Sequence, residues 1–491
     1  MLEKSYKENL LKNKKNGEEM EKIKRKLNIE NLLAVFIIIC PILDIASFIF
    51  RNIFNTKISP STIIRPIIPM IAFLYYFIKA DKKYKLKMFG ISAVYGIYAI
   101  IHLILFTTVR SESSYSNISH ELQYLVNYTF MIIILYVFIK TFKEKLTEKI
   151  EKATIISVGI YLLSIILSIV TNTMSSTYIE GMGIKGWFES GNSISATLIL
   201  SMYILLMNKN KKYRKIIIPE LILMGIFLTL LIGTRVGLYG YILTIGIFVL
   251  VKSNIFNIHK INKKLVIIGG TSIALIILVI GLVGSNTFTR RQHLKDIEAN
   301  IVDSSNNEEA HLTGSLMEIK DKIDNRQIDE KYMNEIQQKS VLELYDIANK
   351  LQISNNDQRM QQLLYNAILV KNQANPLLIL FGNGYMNQFR ELVLEMDIPA
   401  FLFNFGIIGL FLYFVPFLSI FIYALYWAIK RYKSIDEQYI MYLLGLGLSF
   451  ALSVFSGYVF FNMSTDSIII VICVLLLNKV EEVKKEEIWK K

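Results

Sequence analysis

Apolar runs of roughly 17 to 25 residues recur along the chain, separated by short polar stretches where the charged residues gather; a run of that length spans a bilayer as a helix. The pattern predicts membrane helices over 32–50, 60–78, 86–107, 120–139, 153–171, 190–207, 216–232, 234–251, 265–283, 398–429, 439–457 and 464–478. One connection breaks the rhythm. From Gly284 to Asp397 the chain is polar overall, yet Val341–Leu351 and Met360–Val370 carry apolar residues at helical spacing, and Asp303–Ala310 reads as a turn. The expected fold is an all-α polytopic membrane protein of about twelve transmembrane helices, with one large, partly helical loop between the ninth and tenth. Long loops of this kind usually carry function.

Charge fixes the expected orientation. The net charge of +14 would suit a nucleic-acid partner if it were gathered on one face, but it alternates from loop to loop. Segments 1–31, 79–87, 140–152, 209–215, 252–264, 430–433 and 479–491 hold 36 Lys and Arg, whereas the short segments opposite hold five: Arg51, Lys57, Arg110, Lys185 and Arg235. Basic residues stay inside. The chain therefore divides into a cytoplasmic basic tail (1–31), helices one to nine (32–283), an extracytoplasmic loop (284–397), helices ten to twelve (398–478) and a cytoplasmic tail (479–491). It is expected to be a multi-pass protein of the cell membrane with both termini cytoplasmic and no nucleic-acid partner. The basic head reads either as a solvated tail or as a contact for anionic lipid head groups. With no small-residue cleavage site after the first apolar run, helix one is expected to remain as an anchor.

At 53% hydrophobic, the chain has more apolar surface than a soluble core needs, so the excess must face lipid. The two cysteines, Cys40 and Cys473, both lie in apolar runs and read as free thiols.

A charge inside a membrane is costly and is a functional candidate by default. Those within spans or at their outer ends are Asp44, Arg65, Glu189, Arg235, Asp397 and Asp466. Arg235 stands in Gly233-Thr234-Arg235-Val236-Gly237, a tight outer turn where a guanidinium can grip two phosphate oxygens at head-group level or simply snorkel. Arg65 either pairs with Asp44 or meets a ligand. Glu189-Ser190-Gly191-Asn192 opens span six, where Asn192 and backbone N–H groups can meet an anionic or sugar group or serve as a helix cap. The end of the loop runs through Arg359, then Gly382-Asn383-Gly384-Tyr385, then Glu395-Met396-Asp397 into Phe405-Gly406-Ile407-Ile408-Gly409-Leu410. Two carboxylates thus stand where a helix returns to the membrane, a place the helix dipole also favours.

Other chemistry is missing. There is no P-loop, nucleophile elbow, His-Glu-x-x-His or Asp-x-Asp, and the five histidines are scattered, so neither a metal site nor a cofactor is expected. His102 reads as a packed core histidine.

The ordered set of a Gly-Thr-Arg turn, a large outer loop with an internal Arg359, Gly382-x-Gly384-Tyr385 and the acidic return before Phe405-Gly406-Ile407-Ile408-Gly409 resembles the O-antigen ligase and polymerase family, more narrowly its low-GC Gram-positive branch. The resemblance implies metal-independent, inverting transfer of a glycan from a polyprenyl-pyrophosphate carrier to a glycan, wall or lipid acceptor on the outer face of the membrane. It also implies that Arg235 and Arg359 hold the pyrophosphate. Arg65, from its place near the outer end of span two, is a further pyrophosphate candidate, and Glu189, Asn192 and Tyr385 are candidate substrate contacts. Where well-studied ligases carry a histidine, eleven residues before Gly406, this chain has Glu395. Glu395 or Asp397 is therefore expected to act as base. The other class that suits twelve spans is a transporter or flippase of lipid-linked oligosaccharide without catalysis. A two-times-six transporter would place its long linker inside after span six, whereas the long loop here follows span nine.

Overall fold

The computed structural model describes residues 28–54, 60–108, 118–142, 147–178, 181–253, 284–304, 315–328, 333–354, 357–384, 392 and 394–489, with scattered helical positions between 267 and 281. The elements are α1 (Ile29–Asn52), α2 (Pro60–Lys79), α3 (Lys82–Thr108), α4 (Ile118–Phe142), α5 (Thr147–Val170), a small hairpin of β1 (Ser175–Ser176) and β2 (Ile184–Gly186), α6 (Gly191–Leu205), α7 (Arg214–Ile226) and α8 (Arg235–Lys252). There follow α9 (Asn286–Ser304), α10 (Ser315–Asp324), α11 (Glu335–Lys350), α12 (Gln358–Gln373), α13 (Pro376–Phe381), α14 (Asp397–Lys430), α15 (Glu437–Phe455) and α16 (Met463–Trp489).

Helices occupy eleven of the twelve expected stretches; most of 265–283, the ninth, lies outside the described residues. Among the described residues, eight helices are long and apolar enough to cross a membrane: α1, α3, α4 from Glu121, α5, α8, α14, α15 and α16 up to Lys485. The shorter α6 is apolar on balance, but 15 residues rise only about 22 Å, less than a hydrocarbon core of about 30 Å. α7 is continued by a π-helical turn over Phe227–Leu231.

The bundle is built around α16. Ile468 to Leu476 are almost fully covered, as expected of a helix that is apolar on every side. They share a core with α1, α4, α6, α14 and α15. A second core joins α5, α6, α7 and α8. Polar side chains tie the bundle internally: Arg65 donates to Asp44 (2.5 Å), Ser464 (2.8 Å) and the Cys40 carbonyl (3.2 Å), and Tyr161 donates to Asp44 at 3.0 Å. Cys40 and Cys473 are free and buried.

The long connection is helical and has its own core. α10, α11 and α12 bury Leu316, Val341, Leu344, Tyr345, Tyr365 and Leu369 against one another. Asn334 and Gln337 close a reciprocal capping box at the start of α11. The expected turn at Asp303–Ala310 lies outside the described residues from 305 onward. This cap sits at the end of the bundle where α8 and α14 begin.

α14 is broken at Gly406, whose φ of 73° and ψ of 178° leave the helical region. A break within an apolar segment needs other partners for the backbone groups it releases. Here the Phe403 and Asn404 carbonyls accept from the N–H groups of Asn383 (2.7 Å) and Gly384 (2.8 Å). The Phe405 carbonyl accepts from Tyr98 at 2.6 Å, and that of Gly409 from Tyr128 at 2.7 Å. The chain leaving α13 is thereby fastened to the break in α14.

Candidate active site

The turn before α8 is positioned by its carbonyls. The π-helical turn shifts the register of the last carbonyls of α7, and side chains from two other segments collect them: Ser285 donates to Thr229 O (2.6 Å), Asn286 to Leu231 O (2.7 Å) and Thr177 to Ile232 O (2.7 Å). Tyr178 donates to Gly233 O at 3.2 Å. Thr234 caps α8, its hydroxyl accepting from Gly237 N at 3.0 Å, which leaves Arg235 exposed at the first position of the helix.

The same strapping brings in Arg290, one helical turn after Asn286. Its guanidinium carbon lies 3.6 Å from the centroid of the Tyr178 ring, and among the described residues its buried Nε has no hydrogen-bond partner. A cation on an aromatic face is held without using its N–H donors.

Arg359 arrives from the first turn of α12. It donates through Nη1 to the Phe455 carbonyl at 2.5 Å, and its Nε lies 3.9 Å from the Glu395 carboxylate. Both side chains are 40% exposed, so a ligand can reach either one. Glu395 is fixed through its backbone: its N–H donates to Gln362 at 3.2 Å, and Gly457 packs so closely that a Cβ there would fall 1.7 Å from the Glu395 carbonyl oxygen.

Tyr178 reports the proximity of these groups. Burial pushes its phenol above the ordinary value, the fields of Arg290, Arg235 and Arg359 pull it down, and Glu395 adds a small push upward. Three guanidinium groups and one carboxylate thus share one neighbourhood, drawn from the 233–235 turn, α9, α12 and the 394–396 segment.

Asp397 belongs to the layer beneath. Fully buried, it accepts from the N–H groups of Tyr458 (2.8 Å), Val459 (2.8 Å) and Phe460 (2.6 Å). Both of its oxygens are occupied in shaping the 456–461 turn that carries Gly457. Arg65 also lies elsewhere, in the buried network with Asp44. Glu189 pairs with Arg51 at 2.8 Å; burial raises its carboxyl above the usual range, and the Arg51 cation offsets part of that rise. Asn192, partly buried, sits in the first turn of α6. Tyr385 lies outside the described residues. Among the described residues no group of three or more His, Cys, Asp or Glu is placed to hold a metal ion. His102 is buried, with one ring nitrogen bonded to Glu121 and the other 2.6 Å from the Phe381 carbonyl.

Arg290 and Tyr178 escaped the sequence reading, which weighed charges in the short loops. A signal existed in Arg290-Arg291, two arginines just beyond the ninth apolar run on the side otherwise poor in basic residues.

No curated protein sequence matches this chain. The family model described as O-antigen ligase like membrane protein matches residues 26–483, nearly the whole chain, and the protein therefore belongs to that family.

Proposed function

We propose that this protein transfers a glycan from a polyprenyl-pyrophosphate carrier to an acceptor hydroxyl on the outer face of the cytoplasmic membrane, within twelve spans and with both termini inside. The observation that carries this reading is that Arg290 stacks on Tyr178 at 3.6 Å, the Gly233–Arg235 turn is bonded to the same tyrosine at 3.2 Å, and Arg359 stands 3.9 Å from the Glu395 carboxylate. Family membership supports it, suggesting a membrane glycosyltransferase-type enzyme and implying lipid-linked glycan substrates.

The chemistry follows from the charges. As the acceptor oxygen bonds to the anomeric carbon, the bond from that carbon to the pyrophosphate oxygen breaks, and negative charge grows on the leaving group. Arginines fixed before the reaction stabilise that charge without reorganising, and they do so more strongly where protein excludes water. Arg235 is exposed at a helix N-terminus, itself a favourable end for an anion. Arg290 keeps its donors available while stacked on Tyr178, and Arg359 supplies the third fork. The proton of the acceptor hydroxyl passes to Glu395, the carboxylate nearest Arg359. One base suffices for a single displacement, which inverts the anomeric centre. Asp397 holds the floor on which Glu395 rests.

Proteoliposomes holding the purified protein and a polyprenyl-pyrophosphate oligosaccharide test the reading. Release of free polyprenyl pyrophosphate with a growing or transferred glycan is expected. An intact donor that merely changes leaflet would replace this reading with that of a flippase.

A further inference from the structure

At the opposite end of the bundle from the cap, a cavity of about 710 Å³ opens between the start of α1, the junction of α2 and α3, and the end of α4. It falls within the usual size of small-ligand sites, about 300–1,000 Å³. Lys79, Lys140, Tyr75, Tyr76, Tyr84 and Asp81 are among its lining residues.

The cations are the distinctive part. Lys79 lies 4.3 Å from the Tyr75 ring centroid and donates to its hydroxyl, and Lys140 lies 4.9 Å from the ring of Tyr84. Among the described residues neither lysine takes part in an ion pair. The acids of the lining are engaged instead: Glu30 pairs with Lys149 at 2.9 Å, and Asp81 caps α3 by accepting from Tyr84 N at 2.7 Å. Tyr76 is bonded to Thr141 and Tyr84 to Tyr136, each at 2.8 Å, so the aromatic walls are fixed in place. The first turn of α3 adds Lys82, Lys83 and Lys85. The result is a roomy recess with fixed aromatic walls in which, among the described residues, neither ammonium group is ion-paired.

Its surroundings say what kind of anion fits. Leu74 and Ile78 on α2 and Leu86 and Phe89 on α3, the two helices whose junction walls the recess, are 48%, 70%, 71% and 66% exposed. The two helices that would wall a bound phosphate thus also offer apolar surface to acyl chains. We propose that this recess binds the phosphate of an anionic glycerophospholipid, with Lys79 and Lys140 on the phosphate oxygens and the chains lying along α2 and α3. This site is independent of the glycan-transfer reading.

The test uses the full-length protein in neutral detergent and follows its thermal midpoint as phosphatidylglycerol, phosphatidylcholine or inorganic phosphate is added. Phosphatidylglycerol is expected to raise the midpoint by about 3 °C at roughly a hundredfold excess over its dissociation constant. Phosphatidylcholine and inorganic phosphate should not. K79Q/K140Q should lose the increment, and K430Q/K433Q, altered at a different basic loop, should keep it. If the Gln pair does not fold, K140Q alone, at the exposed end of α4, must lose about half of it. An equal rise with inorganic phosphate would overturn the lipid assignment. An increment that survives in K79Q/K140Q, or that vanishes in K430Q/K433Q, would overturn the site.

Discussion

Gly382 and Gly406 cross with their backbones in contact: a Cβ on Gly382 would lie 2.4 Å from the Gly406 nitrogen, and a Cβ on Gly406 would lie 2.3 Å from the Gly382 nitrogen. Both take positive φ, 82° and 73°. Each residue therefore needs glycine twice over, for conformation and for space. The crossing ties the end of the cap to the break in α14. G382A and G406A are expected to cost roughly 3 kcal/mol or more, since neither backbone can withdraw without breaking the bonds of Asn383 and Gly384 to α14. Thermal midpoints in detergent check this, and a midpoint within a degree or two of the parent would refute it.

Loss of either exposed arginine is expected to slow transfer measurably. R235A and R359A should each lower the rate of glycan transfer by about 10²- to 10³-fold, the usual effect of removing one fixed donor from a developing charge. R359K should fall short as well, because a single ammonium cannot reach both the Phe455 carbonyl and a phosphate. Initial rates in proteoliposomes at equal protein level decide the matter.

Arg290 makes a sharper case because its position depends on Tyr178. Y178F keeps the ring beneath the guanidinium and is expected to retain activity to within about threefold, losing only a 3.2 Å bond to the Gly233 carbonyl. Y178A removes the ring and should cost about tenfold, in line with a cation–π contact of about 1 kcal/mol or more. Equal activity of Y178A and the parent would show that the stack does not position Arg290.

Much of the bundle was legible because lipid imposes a simple code. The span expected over 32–50 is α1 at Ile29–Asn52, and that over 439–457 is α15 at Glu437–Phe455. What the code omits is three-dimensional partnership. The run containing Phe405-Gly406-Ile407-Ile408-Gly409 reads as uninterrupted helix, and only the distant partners Asn383, Gly384, Tyr98 and Tyr128 permit the break. Likewise, the run beginning at Met463 is as apolar as its neighbours, so nothing local marks α16 as the helix around which the others pack. Arg235 and Arg359 could be singled out one at a time from their settings. What positions them does not show: the Arg235 turn is held by bonds from Thr177, Ser285 and Asn286 to the carbonyls of Ile232, Thr229 and Leu231, and Arg359 by the Phe455 carbonyl, which no periodicity encodes.

The buried pair of His102 and Glu121 supports the same region from α3 and α4. Both side chains are fully covered, and His102 also meets the Phe381 carbonyl next to the glycine crossing. Removing one partner leaves the other buried without its bond, so H102A and E121A are each expected to destabilise by about 3–5 kcal/mol. The double change H102F/E121L leaves neither group stranded and should cost less than either single change. Unfolding midpoints of the three variants give the comparison, and a double variant worse than both singles would contradict it.

Glu395 and Asp397 stand two residues apart, yet opposite outcomes are expected when each is neutralised. E395Q changes a half-exposed carboxylate held by its backbone, so folding should be preserved while the transfer rate falls by about 10²- to 10⁴-fold, the range for loss of a general base. D397N places an amide among three converging N–H donors, where its own NH₂ cannot accept, so at least one donor is left without a partner. That loss should appear as roughly 3 kcal/mol of stability, with the rate per folded molecule reduced only as far as the 456–461 turn shifts beneath Glu395. Measuring midpoint and initial rate on the same preparations separates the two roles. A fully stable D397N with no activity, beside an active E395Q, would exchange the roles and make the buried carboxylate the base.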